Sequence, residues 1–260
     1  MTNEHHFPAD VSSGESLITV STPVPDHPTL FLMTLHNGVE NRFTFEMVDA
    51  INQALDYIDT VMDSLPDSKA NIGGALITTG RGKFYSNGLN MKIIQTQFQE
   101  FNPRYYKLIA RVLMFRLPTV AALNGHAFAG GCMFALAHDY RIMREDRGYI
   151  CMNEVDIPLG LPPAMAAIVK CKINEPTSLR QCVLEGRRFT ANVALKLGIV
   201  DKTAPLDQVI PTAIEAAKAA SVKAKLRGLV LHQLKAEIYR ETIIKLLTGE
   251  PLPASYLSKL

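Results

Sequence analysis

Apolar positions change their spacing along this chain, and each change marks an element. SLITVS (16–21) and TLFLMTL (29–35) have strand composition and are divided by the proline-bearing turn PVPDHP. From Phe45 the spacing shifts: Met47, Val48, Ile51, Ala54, Leu55 and Ile58 recur at three and four, the signature of an amphipathic helix. GGALITTG then reads as a buried strand that runs directly into the loop KFYSNGLNMK. Residues 105–115 predict a helix that stops before Pro118, because the residue preceding a proline avoids helical dihedrals. TVAALNG is a third buried strand, and a helix rich in small residues begins near Gly130. Beyond Pro162 the pattern is helical, with helices expected over 163–171, 175–184, 191–197, 207–223 and 228–247. Strands alternating with helices argue for an α/β layer fold rather than a bundle. The chain divides into a flexible tail at 1–15, a core at 16–203, a helical region at 204–257 and a terminal tripeptide at 258–260.

Composition narrows the classes. Lys plus Arg number 27 and Asp plus Glu 25, a net charge of +2, too small to argue for a nucleic-acid or membrane-surface partner. No run approaches the roughly 18 apolar residues a membrane span needs. The first residues, MTNEHHFPADVSSGE, lack the basic-then-apolar layout of a secretory signal, and a soluble intracellular protein is expected. Cys132, Cys151, Cys171 and Cys182 show no CxxC pair and no histidine at zinc-finger spacing, so they read as buried free thiols. His5 and His6 read as part of a frayed polar tail rather than a metal site, and no metal centre is expected. The chain ends Ser258-Lys259-Leu260, which reads as a peroxisomal address and implies an import receptor as partner.

Three segments carry candidate chemistry. In Ser86-Asn87-Gly88-Leu89-Asn90 the glycine lets backbone approach a ligand closely, with the Leu89 N–H as a potential donor; a plain Asn-Gly turn explains the segment equally well. Asn124 to Cys132 runs from a strand end into a helix start, where first-turn N–H groups lack intrahelical acceptors and favour negative charge. Gly130 would supply such a donor, although Ala129, Gly130 and Gly131 also suit close packing of helix on sheet. In Asn153-Glu154-Val155-Asp156-Ile157-Pro158, two carboxylates sit among apolar residues in a stretch expected to be extended, so that Glu154 and Asp156 share a face. A carboxylate among apolar groups binds its proton more tightly and suits a general base; a salt bridge or a helix cap is the competing account.

Taken in this order, the segments resemble the enoyl-coenzyme A hydratase/isomerase family, the crotonases, over roughly residues 16 to 202. KFYSNGLNM, PTVAALNGHAFAGG, HDYRIM and NEVDI are similar to the Δ3,Δ2-enoyl-CoA isomerase branch in particular. The resemblance implies a spiral of ββα units with a C-terminal helical region, and a homotrimer or hexamer. It implies an acyl-CoA thioester as substrate, with coenzyme A arriving as part of it and no separate cofactor. The amides of Leu89 and Gly130 would form the oxyanion hole, with Ser86, Asn87, Gly88, Asn90, Gly131 and Met133 around the substrate and Arg81, Lys83 and Lys92 near the coenzyme. Hydratases of the family use two glutamates. Here the first position falls on Met133 and the second on Glu154, so one carboxylate remains, enough for moving a double bond. Glu154 is the expected base, with Asp156 in reserve; His126 and His138 are expected to be structural, each with a hydrogen bond. Asn90 and Pro158 stand where the family usually shows Asp and Gly. The expected activity is isomerisation of 3-enoyl-CoA to 2-trans-enoyl-CoA in peroxisomal β-oxidation of unsaturated fatty acids. The alternatives are hydration or another crotonase reaction, or a silent acyl-CoA-binding homologue.

Overall fold

Strands β4 (Ala75–Gly80) and β6 (Thr119–Leu123) are apolar on both faces, and they lie at the centre of the main sheet. The computed structural model describes residues 4–8, 16–157 and 160–249. Pro158, the terminal tripeptide and most of the first fifteen residues lie outside them. Among the described residues seven strands form one sheet in the order β1-β2-β3-β4-β6-β8-β10. Here β1 is Glu4–Phe7, β2 Ile18–Ser21, β3 Leu30–Leu35, β8 Tyr140–Arg144 and β10 Lys202–Ala204. The first three strands are antiparallel, and β3 through β10 run parallel.

Alternation along these strands feeds two cores, as expected where helices cover both faces of a parallel sheet. Leu76, Ala121 and Leu123 point into the larger core, which includes helices α1 (Phe45–Asp63) and α3 (Phe98–Leu113). Ala75, Ile77, Val120 and Ala122 point the other way, onto Val209, Ala213 and Ala217 of α8 (Leu206–Ser221). Helix α8 therefore closes one face of the sheet.

A second sheet stacks the short strands β5 (Phe84–Ser86), β7 (His126–Phe128) and β9 (Ile150–Cys151) in parallel. Each follows a long strand and precedes a helical segment: β4-β5 leads to α2 (Met91–Thr96) and α3, β6-β7 to α4 (Gly130–Leu136), and β8-β9 to a 3-10 turn and α5 (Pro163–Lys172). This is the expected spiral of ββα units. Helices α6 (Pro176–Val183) and α7 (Ala191–Lys196) lead on to β10.

Four local expectations change. The stretch 228–247 is two helices, α9 (Leu229–Ile238) and α10 (Arg240–Thr248), parted at Tyr239, whose hydroxyl accepts a hydrogen bond from Lys172 Nζ at 3.0 Å. Helix α3 starts at Phe98, seven positions before the expected 105, and carries Pro103 inside it. Glu4–Phe7 forms a strand on β2, with the His5 ring 4.3 Å from that of Tyr57. Glu154–Asp156 is one turn of 3-10 helix rather than an extended strand. At three residues per turn, positions two apart do not share a face, so Glu154 and Asp156 diverge.

Candidate functional site

The hydrogen bonds around Leu89 aim its amide. The Gly88 carbonyl accepts from Phe43 N–H at 2.9 Å, and Asn90 N–H donates to the Phe43 carbonyl at 3.0 Å. In a trans peptide the N–H opposes the preceding C=O, so the Leu89 N–H is turned away from Phe43. It has no acceptor among the described residues. Gly88 holds a φ of +81°, and a side chain there would come 2.8 Å from the Phe128 carbonyl and 3.1 Å from the Gly130 nitrogen.

The second amide is set by the start of α4. The Ala129 carbonyl accepts from Met133 N–H at 3.0 Å, leaving the Gly130 N–H outside the helical ladder, facing back off its N-terminus. Tyr105, wholly buried on α3, donates its hydroxyl to the Gly130 carbonyl at 2.5 Å and fixes this turn. A side chain on Gly131 would overlap the Ser86 carbonyl, which is why the helix start can lie against β5.

Leu89, Gly130 and Glu154 border one cavity of about 760 Å³. Its walls come from Met91, Ile94, Phe98, Met133, Leu161 and Met165, among others. Glu154 is the one acid among the described residues lining it. Burial raises its pKa to about 6, a backbone hydrogen bond offsets part of that rise, and Oε2 is buried with no hydrogen-bond partner. Asn153 beside it also lines the cavity and leaves Oδ1 unpartnered. Asp156 is exposed and does not line the cavity.

The fold thus gathers Leu89, Gly130, Glu154, Asn87 and Met133 at one cavity, Met133 being only 1% exposed. Ser86, Gly88, Asn90 and Gly131 are not part of its lining and shape the loops instead. The Ser86 hydroxyl donates to the Asn41 carbonyl at 2.7 Å and accepts from Gly88 N–H at 3.2 Å. Asn90 Oδ1 caps α2 by accepting from the amides of Lys92 and Ile93, so a neutral residue does the capping work of an aspartate.

Arg42 was missed by sequence reasoning, which looked for basic residues at Arg81, Lys83 and Lys92. Arg42 lines the cavity, donates Nη1 to the Leu89 carbonyl at 2.9 Å, and pairs through Nε with Glu40 Oε2 at 2.6 Å. Glu40 in turn accepts from the Asn87 amide at 2.9 Å, so one ion pair braces the loop carrying Leu89. Arg81, Lys83 and Lys92 are exposed and outside the cavity lining.

His138 is buried, with its two ring nitrogens on the Thr78 hydroxyl and the Phe134 carbonyl; burial pulls its pKa down to about 3, so it is a neutral structural group. The His126 ring sits among Phe84, Phe128 and Tyr149, but its buried Nδ1 has no hydrogen-bond partner, unlike the expected structural histidine. All four cysteines are free thiols, three of them buried. Among the described residues no cluster of His, Cys, Asp and Glu could hold a metal ion, and no helix is long and apolar enough to cross a membrane.

Two donors and one acid around an apolar chamber suit a reaction that places charge on a carbonyl oxygen while a proton leaves the adjacent carbon. Comparison with known proteins points the same way. The family model described as Enoyl-CoA hydratase/isomerase matches residues 27–249. The chain is 34% identical over 221 residues to enoyl-CoA delta isomerase 3 of Arabidopsis thaliana, covering 82% of this chain and 89% of that protein. It is likewise 34% identical over 225 residues to the plant's peroxisomal enoyl-CoA delta isomerase 2, with the same coverage. An apo enoyl-CoA isomerase from Mycobacterium tuberculosis superposes with a TM-score of 0.77 at 25% identity, over 90% of this chain and 95% of that one. Human mitochondrial delta3-delta2-enoyl-CoA isomerase shares the fold, with a TM-score of 0.76 at 24% identity over 90% and 87% of the two chains.

Proposed function

The chain belongs to the enoyl-CoA hydratase/isomerase family, and from that premise we propose that it works as a Δ3,Δ2-enoyl-CoA isomerase with Glu154 as its single acid-base group. The observation that carries this reading is the buried, unpartnered Glu154 carboxylate on the same apolar cavity as two unpaired amides.

The thioester carbonyl of a 3-enoyl-CoA accepts hydrogen bonds from the Leu89 and Gly130 amides. Glu154 removes a proton from C2; the C2–H electron pair moves into C1–C2, and negative charge collects on the thioester oxygen. The carbonyl then re-forms, the C1–C2 pair becomes C2=C3, and the C3=C4 pair takes a proton from Glu154 at C4. Product is 2-trans-enoyl-CoA and the carboxylate is restored, so the reaction needs neither water nor a redox partner. Preorganised donors stabilise such an oxyanion best where water is excluded, and the apolar walls supply that exclusion.

Hydration is the weaker reading because a thioether at Met133 cannot activate water, whereas a silent homologue would have no use for a base held ready beside the carbonyl. The test is direct: purified protein mixed with a 3-enoyl-CoA should generate the conjugated 2-enoyl thioester, and Glu154→Gln should abolish that signal while thioester binding persists. Retained turnover in the variant would remove Glu154 from the mechanism.

Two wider readings belong with this one. Ser258-Lys259-Leu260, together with the peroxisomal naming of two plant relatives, supports a peroxisomal location reached through an import receptor, in β-oxidation of unsaturated chains. The exposed apolar side chains Leu229, Val230, Leu234, Ile238, Ile244 and Leu247 on α9 and α10 support a homotrimer or hexamer through that face. Sedimentation of the protein and of a Leu234→Glu variant would test it, and a monomeric wild type would refute it.

A further inference from the structure

Two pairs of polar side chains face the otherwise apolar cavity among its described lining residues: Asn153 with Glu154, and Arg42 with Asn87. The second pair is placed by the backbone of Leu89. The Gly88 carbonyl and the Asn90 N–H both face Phe43, so across two trans peptides the N–H and the carbonyl of Leu89 both face the opposite way. Arg42 Nη1 donates to that Leu89 carbonyl at 2.9 Å. The guanidinium therefore stands on the same side of Leu89 as the amide assigned to the oxyanion.

Glu40 decides which polar atoms remain open. The Arg42 guanidinium holds the Glu40 carboxyl below the usual carboxylate range, so it only accepts hydrogen bonds. Asn87 accordingly turns Nδ2 to it, at 2.9 Å, and its Oδ1 the other way. Arg42 uses Nε on Glu40 and Nη1 on Leu89, which leaves Nη2. Neither Arg42 Nη2 nor Asn87 Oδ1 has a hydrogen-bond partner among the described residues, and neither is sealed off as Glu154 Oε2 is. One open donor and one open acceptor thus stand on the wall of the cavity.

We propose that Arg42 Nη2 and Asn87 Oδ1 seat the secondary amide nearest the sulfur in the thiol arm of the substrate, the amide carbonyl accepting from Arg42 and the amide N–H donating to Asn87. This rests on the isomerase reading above. With the thioester carbonyl on the Leu89 and Gly130 amides, Glu154 must face the acyl carbons, so the sulfur arm leaves on the side of the other polar pair. In coenzyme A that arm carries an amide nitrogen two carbons beyond the sulfur. A secondary amide needs one donor and one acceptor, which is what the pair offers. A phosphate is the poorer occupant, because it would meet the Asn87 oxygen, itself an acceptor, and a guanidinium already shared with the Glu40 carboxylate.

The experiment measures kcat/KM for one 3-enoyl chain on four thiols. Coenzyme A is the first; N-acetylcysteamine keeps the first amide, 2-mercaptoethyl acetate replaces its N–H by oxygen, and pentanethiol has neither group. Wild type is expected to prefer the acetylcysteamine thioester over the pentyl one by about tenfold, the worth of one hydrogen bond to a neutral and one to a charged group. Asn87→Ala should bring the amide-to-ester ratio toward unity, and Arg42→Ala the ester-to-pentyl ratio. Each ratio is taken within one protein, so general damage to the Leu89 loop cancels. Equal turnover of the three truncated thioesters by wild type, or ratios unchanged in both variants, would overturn the seat. A loss in Arg42→Ala confined to the coenzyme A thioester would overturn it as well, by assigning Arg42 to a phosphate. If no 3-enoyl thioester is turned over, the isomerase reading fails on its own. Binding of saturated thioesters on the same four thiols, followed by NMR titration, then decides the seat: the same ratios support it and equal binding refutes it.

Discussion

A methyl group placed on Gly130 would lie 3.3 Å from the Leu89 backbone nitrogen and 2.7 Å from a methyl of the Leu89 side chain. A side chain at position 130 would thus displace the Leu89 side chain and crowd the Leu89 amide by a few tenths of an ångström. Gly130→Ala should push the Leu89 loop away and weaken the grip on the carbonyl oxygen. Loss of one such donor costs about 10²- to 10³-fold in kcat, and a fall of that order is expected with little change in thermal stability. Steady-state kinetics beside a melting curve checks it; an unchanged kcat would mean the amides do not act together.

Glu154 must be ionised to accept a proton, and burial sets its pKa at about 6. The rate is expected to fall about tenfold per pH unit below that value and to level off above it. A pH profile of kcat/KM measures this. An inflection near the ordinary glutamate value would show that the carboxylate is solvated in the working enzyme.

The same shift has a stability consequence. Because its folded pKa lies above the unfolded value of 4.5, the native state binds the proton more tightly, so stability is lost as pH rises from about 4.5 through about 6. Glu154→Gln removes that loss, and should stabilise the protein by up to about 2 kcal/mol at pH 7, with no gain at pH 4. Urea unfolding of both proteins at the two pH values is the measurement. A variant less stable at pH 7 would mean that the carboxylate is not under the burial penalty described.

Arg42 acts on the loop through the Leu89 carbonyl and Glu40. Arg42→Ala is expected to cut kcat about tenfold or more, given that hydrogen bonds to a charged group contribute roughly 1.5–3 kcal/mol. Arg42→Lys should recover only part, since an ammonium cannot span both partners as the guanidinium fork does. Equal activity in all three proteins would limit Arg42 to the surface of the site.

Lys235 on α9 is 3% exposed and donates to Asp139 Oδ2 at 2.5 Å and to the carbonyls of Phe115 and Leu117. Lys235→Met takes the ammonium from half-buried Asp139, which keeps its hydrogen bonds from the Thr119 amide and hydroxyl. The loss is therefore expected to fall below the roughly 3–5 kcal/mol of a fully buried pair. Adding Asp139→Asn should return part of the loss. Denaturant midpoints for the single and double variants decide it, and an additive double variant would show that the two groups are not coupled.

Legibility in the sequence followed the number of residues that shared a signal. The long apolar runs of β4 and β6 and the spacing of α1 were plain because burial acts on many successive positions. Strands β5, β7 and β9 were not, since two or three residues show no period and pair only once the longer strands are in place. The 3-10 turn at Glu154 broke the alternation argument for the same reason: a single turn is chosen by its surroundings.

What the sequence by itself determined is the order of elements, the two glycine loops and a pair of carboxylates, Glu154 and Asp156, among apolar neighbours, because these are local patterns of size, charge and backbone freedom. What only the tertiary structure decided is which of them meet. Leu89 and Arg42 are 47 positions apart and join through one carbonyl, and Glu154 comes to the amides only when three successive ββα units close around a shared chamber. Such contacts depend on distances set by packing across the whole fold, and no window of residues along the chain contains them.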